Sequence, residues 1–396
     1  MKEIKKLRTL IRILLGWAVY GLSFFVPRNK KIWVFVGWHQ NKEREIFAEN
    51  PKYLFLYASN NQKDIRPIWI GQDNKICTLL KNHGYEAYSI TSAKGMYFSL
   101  RAGYTFIGST MQRNNWKYSG ASKVIQLWHG KSLKKTGHNS PYSIKNSNKF
   151  ISPNLFRRFT YFIAMSNYMA DFIVSDFQME RKDVIVTGLP KFDVLFGDVK
   201  GAEIDLNPQF VNEIRKAKSK NFKKLIFYAP TFRPDGSNPM RELDLPRLNK
   251  FLEGKNYFVI ASLHPKFSTR DWMPKIQFTN ISFVESGYDI YPLIYNFDLL
   301  ITDYSSLSIE FLLVDKPTIF FVYDLEKFKQ DMGIYDDLWS VMPGSRVKTF
   351  DELIAILENT DTDGYKKARA SARQKLFDFF DSNASKRIIE KLLDQL

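Results

Sequence analysis

The stretch that decides the fold is Asp298-Leu-Leu-Ile-Thr-Asp-Tyr-Ser-Ser-Leu-Ser-Ile-Glu310-Phe311. Leu299, Leu300 and Ile301 form an apolar run long enough for a buried strand and too short for a helix. The run stops at Thr302-Asp303, and an amphipathic helical pattern follows with Leu307, Ile309, Phe311 and Leu312 as its apolar members. Small hydroxyl residues at such a junction cap a helix and leave its first backbone N–H groups open. A helix start just beyond the carboxyl end of a strand suits an anion, phosphate above all. The plain alternative is a capped helix behind a strand with no ligand, so the rest of the chain has to weigh in.

With 396 residues the chain has room for about two domains, each burying its own core. One cysteine, Cys77, excludes a disulfide framework or a cysteine metal cluster and points to a reducing compartment. Five histidines (His39, His83, His129, His138 and His264) make a histidine-rich metal site a poor expectation. The formal charge of +17 calls for an anionic partner: nucleic acid, acidic lipid or a polyanionic substrate. No zinc-finger or RNA-recognition signature supports nucleic acid.

The first 30 residues sharpen that choice. Lys2, Lys5, Lys6, Arg8 and Arg12 precede or interrupt the apolar stretch Ile13 to Val26, and Arg28, Lys30 and Lys31 follow it. The uninterrupted apolar part falls short of the roughly 20 residues that span a bilayer. Positive charge on both sides specifies no orientation, and no small-residue cleavage pattern marks a secretory signal. The expectation is a basic amphipathic segment, residues 1–30, lying on the cytoplasmic face of an anionic membrane. A helix packed on its own protein is the alternative.

From Lys31 to about Asp205 short apolar runs alternate with helical patterns. Strands are expected at Ile32–Val36, Pro67–Ile70, Tyr104–Ile107, Val124–Trp128, Tyr161–Ala164 and Val184–Thr187. Lys200 to Lys220 is polar and helical and carries the crossing into a second domain. The rhythm restarts there, with strands expected at Leu225–Tyr228, Tyr257–Leu263, Ile281–Val284, Leu299–Ile301 and Thr318–Val322. The simplest fit is α/β: two doubly wound parallel-sheet domains, 31–205 and 206–396, facing each other across a cleft. Ligands in such folds sit at the carboxyl ends of strands. The stretch Lys386 to Leu396 is expected to pack back across the domain boundary.

Four turns after strands carry candidate chemistry. In Gln126-Leu-Trp-His129-Gly130-Lys-Ser-Leu-Lys134-Lys135-Thr-Gly137, His129 titrates near neutral pH and can take a proton from an alcohol. Gly130 permits close backbone approach, and Lys134 and Lys135 can hold an anionic acceptor. In Tyr228-Ala-Pro-Thr231-Phe-Arg233, the guanidinium fork and the Thr231 hydroxyl suit phosphate. In Leu263-His264-Pro265-Lys266, His264 can donate to a phosphate. In the opening stretch, Asp303 orients the loop, Ser305 and Ser306 donate to phosphate, and Glu310, one turn on, faces diol hydroxyls. Each turn alone also reads as a capped, proline-stopped or solvated junction. Together they suit a donor diphosphate in one domain and an acceptor alcohol from the other.

These residues carry a resemblance. Trp128-His129-Gly130 with Lys134-Lys135 and Gly137, Thr187-Gly188-Leu-Pro190-Lys-Phe-Asp193, Tyr228-Ala-Pro-Thr-Phe-Arg233, His264-Pro265 and Thr302-Asp-Tyr-Ser-Ser306…Glu310-Phe311 resemble the CDP-glycerol glycerophosphotransferase family, the teichoic-acid primases and polymerases. The likeness runs in order from about residue 30 to 325. It implies a GT-B-like unit of two Rossmann-like domains, peripheral association with the cell membrane, and transfer of glycerol phosphate from CDP-glycerol to a lipid-linked acceptor with release of CMP. It implies a base and catalytic role for His129, a catalytic and donor-phosphate role for His264, and donor-phosphate contacts from Thr231, Arg233, Ser305 and Ser306. Glu310 matches an acid near the donor glycerol.

The chain departs from the pattern after His129-Gly130, where Lys131-Ser132 replaces the frequent Thr-Pro. It also lacks the long amino-terminal region of the long-chain polymerases, which tilts the expectation towards a primase or short transferase. No resident cofactor is called for; a loosely held Mg²⁺ on the diphosphate is compatible with the residues. The rival readings are a CDP-ribitol transferase, a GT-B glycosyltransferase using a nucleotide sugar, and a non-catalytic scaffold binding polyanionic polymer at the membrane.

Overall fold

The apolar runs form strands because a parallel sheet covered on both faces buries every side chain of its interior strands. Asn29–Val36 shows this directly: its first three residues are exposed and the last five buried. The computed structural model describes residues 2–39, 45–109, 116–142, 159–263, 278–359 and 362–394. The strands of the first sheet are β1 (Asn29–Val36), β2 (Arg66–Gly71), β3 (Ala87–Ser89), β4 (Ala102–Ile107), β5 (Lys123–Gln126), β6 (Tyr161–Ala164) and β7 (Val184–Val186). Those of the second are β8 (Lys224–Ala229), β9 (Tyr257–Leu263), β10 (Ile281–Glu285), β11 (Leu299–Thr302), β12 (Thr318–Phe321) and β13 (Ser345–Val347). Their orders are β3-β2-β1-β4-β5-β6-β7 and β10-β9-β8-β11-β12-β13. All pairings within both sheets are parallel.

The expected strands all exist, with ends shifted by at most three residues. Two further strands of these sheets, β3 and β13, have only three residues each, and a separate antiparallel pair, Trp38–His39 with Glu45–Ile46, has two each, too few to stand out as apolar runs. Val124–Trp128 ends earlier than expected, at Gln126, because Trp128 turns into the left-handed region with φ 48°.

The chain divides into two units: residues 1–129, 147–204 and 381–396 in one, and 130–146 and 205–380 in the other. The main crossing falls after Ile204, beside the expected 205/206 boundary. Two segments differ from the expected contiguous domains. Residues 130–146 belong to the second unit and residues 381–396 return to the first. Asp193 explains the return, since its carboxylate accepts from the backbone N–H groups of Ala384 (2.8 Å) and Ser385 (3.0 Å) at the start of helix Ala384–Leu393. That helix buries Ile388, Ile389 and Leu392.

Helix Lys2–Ser23 has two different faces. Trp17 and Tyr20 pack on Trp116, with ring centroids 5.0 and 5.7 Å away, and the Ser23 hydroxyl accepts from Gly120 N at 2.9 Å. The opposite stripe, Ile11, Leu14, Leu15 and Leu22, is 48–67% exposed, and Phe25 just beyond is 85% exposed. Among the described residues no helix is long and apolar enough to cross a membrane.

Glu45 is 1% exposed at the carboxyl ends of β1 and β2. A Cβ on Gly37, just after β1, or on Gly71, the last residue of β2, would collide with its carboxylate. Burial pushes the Glu45 carboxyl up to about 7, against the pull of the Asp73 and Gln72 N–H groups. The folded state therefore holds a proton that the unfolded chain has lost between the ordinary value of 4.5 and about 7. Stability must fall as pH rises through that window. The share due to Glu45 is on the order of 3 kcal/mol. Glu45→Gln removes that share, so urea unfolding between pH 4.5 and 8 shows a shallower decline than in the wild type.

Candidate active site

In the first unit, β5 delivers the histidine turn. Leu127 N donates to Ile107 O at 2.8 Å and prolongs the sheet by one residue. The buried Gln126 side chain then accepts from Trp128 N (2.9 Å) and donates to Ser109 O (2.9 Å), which ends the strand. Trp128 has φ 48° and Gly130 φ 95°, so His129 stands between two left-handed residues. Only the second of these is conformationally easy, because Gly130 lacks a Cβ. The Trp128 indole stacks on the His129 ring at 4.4 Å and meets Phe177 edge-on at 4.9 Å.

His129 is the last residue of the first unit; Gly130, Lys134 and Lys135, expected on the acceptor side, belong to the second. The reason is main-chain pairing with residues 333–335. Lys134 bridges Ile334, Lys135 N donates to Gly333 O (3.0 Å), and Tyr335 N donates to Leu133 O (2.9 Å). The Lys131 ammonium lies 3.9 Å from the Tyr335 ring centroid, a close cation–π contact. Burial lowers the Lys134 pKa, while the Asp303 carboxylate opposes the shift.

In the second unit the switch in strand order falls between β8 and β11, neighbours that pair through Ala229 and Thr302. Loops leaving such a switch point form the ligand crevice of doubly wound sheets. Here the two loops are tied together. Thr231 N donates to both oxygens of Asp303 (2.9 and 3.0 Å), and its hydroxyl donates to the same carboxylate. Arg233 Nη1 donates to Asp303 (2.8 Å) and to Thr231 O (2.7 Å). Its Nε and Nη2 donate to the two oxygens of Asp324 (2.5 and 3.0 Å).

Arg233 is 2% exposed and lies 5.2 Å from the rings of Tyr304, Tyr323 and Phe328. Burial works against its charge, but Asp303 and Asp324 outweigh burial and raise its pKa. Burial also raises the Tyr304 and Tyr323 phenols, with both carboxylates adding to it. The guanidinium expected to face a phosphate thus has four of its five N–H donors engaged within the protein. Thr231 likewise has its hydroxyl on Asp303.

The helix after β11 is shorter than expected, Leu307–Phe311 followed by a 3₁₀ turn at Leu312–Val314. It is buried all round rather than amphipathic, with Ser308 at 0% and Glu310 at 3% exposure. Glu310, expected to face a ligand, accepts from the Tyr291 hydroxyl at 2.6 Å inside the unit. Ser305 and Ser306 remain half-buried at the start of this helix. The Ser306 side chain makes no capping bond, and the Ser305 hydroxyl accepts from Leu307 N at 3.3 Å. His264 lies outside the described residues. Sequence reasoning missed Asp324, Tyr304 and Tyr291. Asp324 follows the β12 run Thr318–Phe321 closely, and its place after a strand was the available signal.

A sequence profile of the CDP-Glycerol:Poly(glycerophosphate) glycerophosphotransferase family matches residues 18–394. The chain belongs to this family. Among its relatives, the teichoic acid ribitol-phosphate polymerase TarL of Staphylococcus aureus is 31% identical over 283 residues, 70% of this chain and 48% of TarL. The chain spans about half the length of such polymerase relatives. The teichoic acid glycerol-phosphate transferase of the same organism matches nearly end to end, 27% identical over 98% of this chain and 99% of the relative. Among solved structures, the wall teichoic acid polymerase TagF superposes with a TM-score of 0.73 at 21% identity, covering 100% of this chain and 98% of that one. The UDP complex of S. aureus MnaA superposes with a TM-score of 0.59 at 13% identity, covering 93% and 98%. These likenesses establish the shared fold.

Proposed function

We propose that the chain is a GT-B-type alditol-phosphate transferase of teichoic acid synthesis, taking its donor from CDP-glycerol. His129 removes the proton of an acceptor hydroxyl, and the oxygen attacks the β-phosphorus of the donor. The bond from that phosphorus to the bridging oxygen breaks, CMP leaves, and a new phosphodiester remains. Such transfers depend mainly on positioning and charge stabilisation. The observation that carries this reading is the switch point of the second sheet. There Arg233 ties Asp303, two residues before Ser305, to Asp324, and the Lys134 side chain lies near Asp303. Thr231 and Arg233 act by fixing the loops that face the donor phosphates, and Asp303 orients them. His264 remains assigned to the donor phosphates and Glu310 to the donor end of the site through Tyr291.

CDP-glycerol is preferred because two relatives matched along nearly their whole length are named a glycerol-phosphate transferase and a poly(glycerol phosphate) polymerase. CDP-ribitol is the second reading, since TarL and TarK are named ribitol-phosphate polymerases. The reading assigns no resident cofactor; any Mg²⁺ arrives with the donor diphosphate. The test is incubation with CDP-glycerol, CDP-ribitol or a UDP-sugar and a lipid-linked disaccharide, followed by mass analysis of the product. An increment of one or more glycerol phosphates with CMP release is expected. UDP release with a sugar increment would make the chain a glycosyltransferase instead.

The acceptor lipid requires a membrane location, and the exposed stripe Ile11, Leu14, Leu15 and Leu22 supports the cytoplasmic membrane face. With Lys2, Lys5, Lys6, Arg8, Arg12, Lys30 and Lys31 along the same segment, it has the make-up of an interfacial helix on acidic lipid. Leu14→Glu with Leu22→Glu leaves the Trp116 contacts untouched and should weaken co-flotation with phosphatidylglycerol vesicles about tenfold or more. Unchanged flotation would remove the helix from the membrane contact.

A further inference from the structure

The motif Thr187-Gly188-Leu-Pro190-Lys-Phe-Asp193 has no role in the transfer as described so far. In the first unit it lies against the histidine turn. Three consecutive carbonyls of that turn, Leu127, Trp128 and His129, accept hydrogen bonds from two side chains. Asn50 Nδ2 donates to Leu127 O (3.1 Å) and Trp128 O (2.8 Å). Lys191 Nζ donates to His129 O (2.8 Å) and to Glu49 Oε2 (3.0 Å). The two clamping residues are joined, since Lys191 N donates to Asn50 Oδ1 at 3.1 Å. Both are 0% exposed, and the Glu49 side chain is 17% exposed.

The turn needs such a clamp. A left-handed tryptophan costs on the order of 1–3 kcal/mol and persists only where its surroundings over-determine it. Buried carbonyls turned inward also require donors. Asn50 sits in the first turn of helix Glu49–Asn61, and Pro190 and Lys191 open a short 3₁₀ turn, so both donors stand on ordered elements. The carbonyl of His129 is among those held, which fixes the Cα from which the imidazole projects.

We propose that Asn50 and Lys191 are positioning residues that set the imidazole of His129 for proton transfer, with Glu49 balancing the buried ammonium. This rests on the reading of His129 as the base. Neither residue touches a substrate; each acts through the main chain of the turn. A misplacement of about 1 Å at a catalytic group can cost roughly 10²-fold in rate.

Two variants test this. Asn50→Asp has the same shape and keeps the acceptor for Lys191 N but cannot donate to the two carbonyls. Lys191→Met with Glu49→Gln removes the ammonium without stranding a carboxylate. The ring resonance of His129, identified by its loss in His129→Gln, is followed by NMR titration beside turnover and CDP-glycerol calorimetry. In both variants the His129 resonance and its titration midpoint should move, and kcat should fall roughly 10- to 100-fold. Donor affinity, a property of the second unit, stays at the wild-type value. An unmoved His129 resonance in both variants overturns the proposal. So does a shifted resonance with wild-type kcat while His129→Gln is inactive. If His129→Gln itself turns over normally, the base assignment fails, and the resonance alone then decides whether the clamp holds the turn.

Discussion

His129→Ala lowers turnover by about 10²–10⁴-fold, the usual contribution of one general base, while CDP-glycerol binding measured by calorimetry stays at the wild-type level. The physical ground for the split is the division of the chain. His129 ends the first unit, whereas Thr231, Arg233, Asp303, Ser305 and Ser306 all lie in the second. Removing the imidazole leaves the hydrogen bonds of Thr231, Arg233 and Asp303 untouched, because none of them involves His129. It also leaves the main chain of the turn alone, since the bonds from Asn50 and Lys191 go to backbone carbonyls. The Trp128 ring loses its stacking partner but keeps its edge contact with Phe177. A pH–rate profile supplies the second readout. The limb at which the wild type loses activity on acidification, where the imidazole becomes charged, is absent from the residual activity of the variant. Equal loss of donor affinity and turnover would place His129 on the donor and reject its role as base.

The sequence made the strand framework legible because interior parallel strands are continuous apolar runs. Leu299-Leu-Ile301 and Ile32 to Val36 could hardly be anything else in a chain with this rhythm. It also placed the candidate turns, since each follows such a run. It could not show which donors would be free. Arg233 looks like an open fork in sequence, yet Asp324 lies 91 residues away and claims half of it. Glu310 is spaced correctly from Ser306, but the short helix carrying it is buried on every side, so its carboxylate meets Tyr291. Nor could the exchange of residues 130–146 be read, because it depends on pairing with Gly333 to Tyr335, residues with no apolar run to announce them. Long-range pairing of single residues leaves no periodicity.

Arg233→Met should destabilise the loops of the second switch point by about 3–5 kcal/mol, the usual cost of stranding a buried charge by deleting its partner. Asp303 and Asp324 have side-chain exposures of 3% and 15%, so water cannot take over from the guanidinium. The stacking of Tyr304 on Phe328 at 3.9 Å, beside the guanidinium, would loosen with it. Hydrogen exchange of peptides covering residues 229–235 and 300–306 reads this directly, and those amides should exchange about 10²-fold faster or more. Arg233→Lys separates a scaffold from a phosphate ligand. Lysine keeps the charge but cannot span Asp303 and Asp324 with a planar fork, so it should accelerate exchange nearly as much as methionine. If Arg233 contacted the donor phosphate instead, lysine would preserve slow exchange and much of the CDP-glycerol affinity. Adding Asp324→Asn to Arg233→Met removes one stranded carboxylate and should recover part of the lost protection, a coupling that two independent sites would not show. Full protection in Arg233→Met would mean that the network does not hold the loops, and Ser305 and Ser306 would lose the support on which their donor role rests.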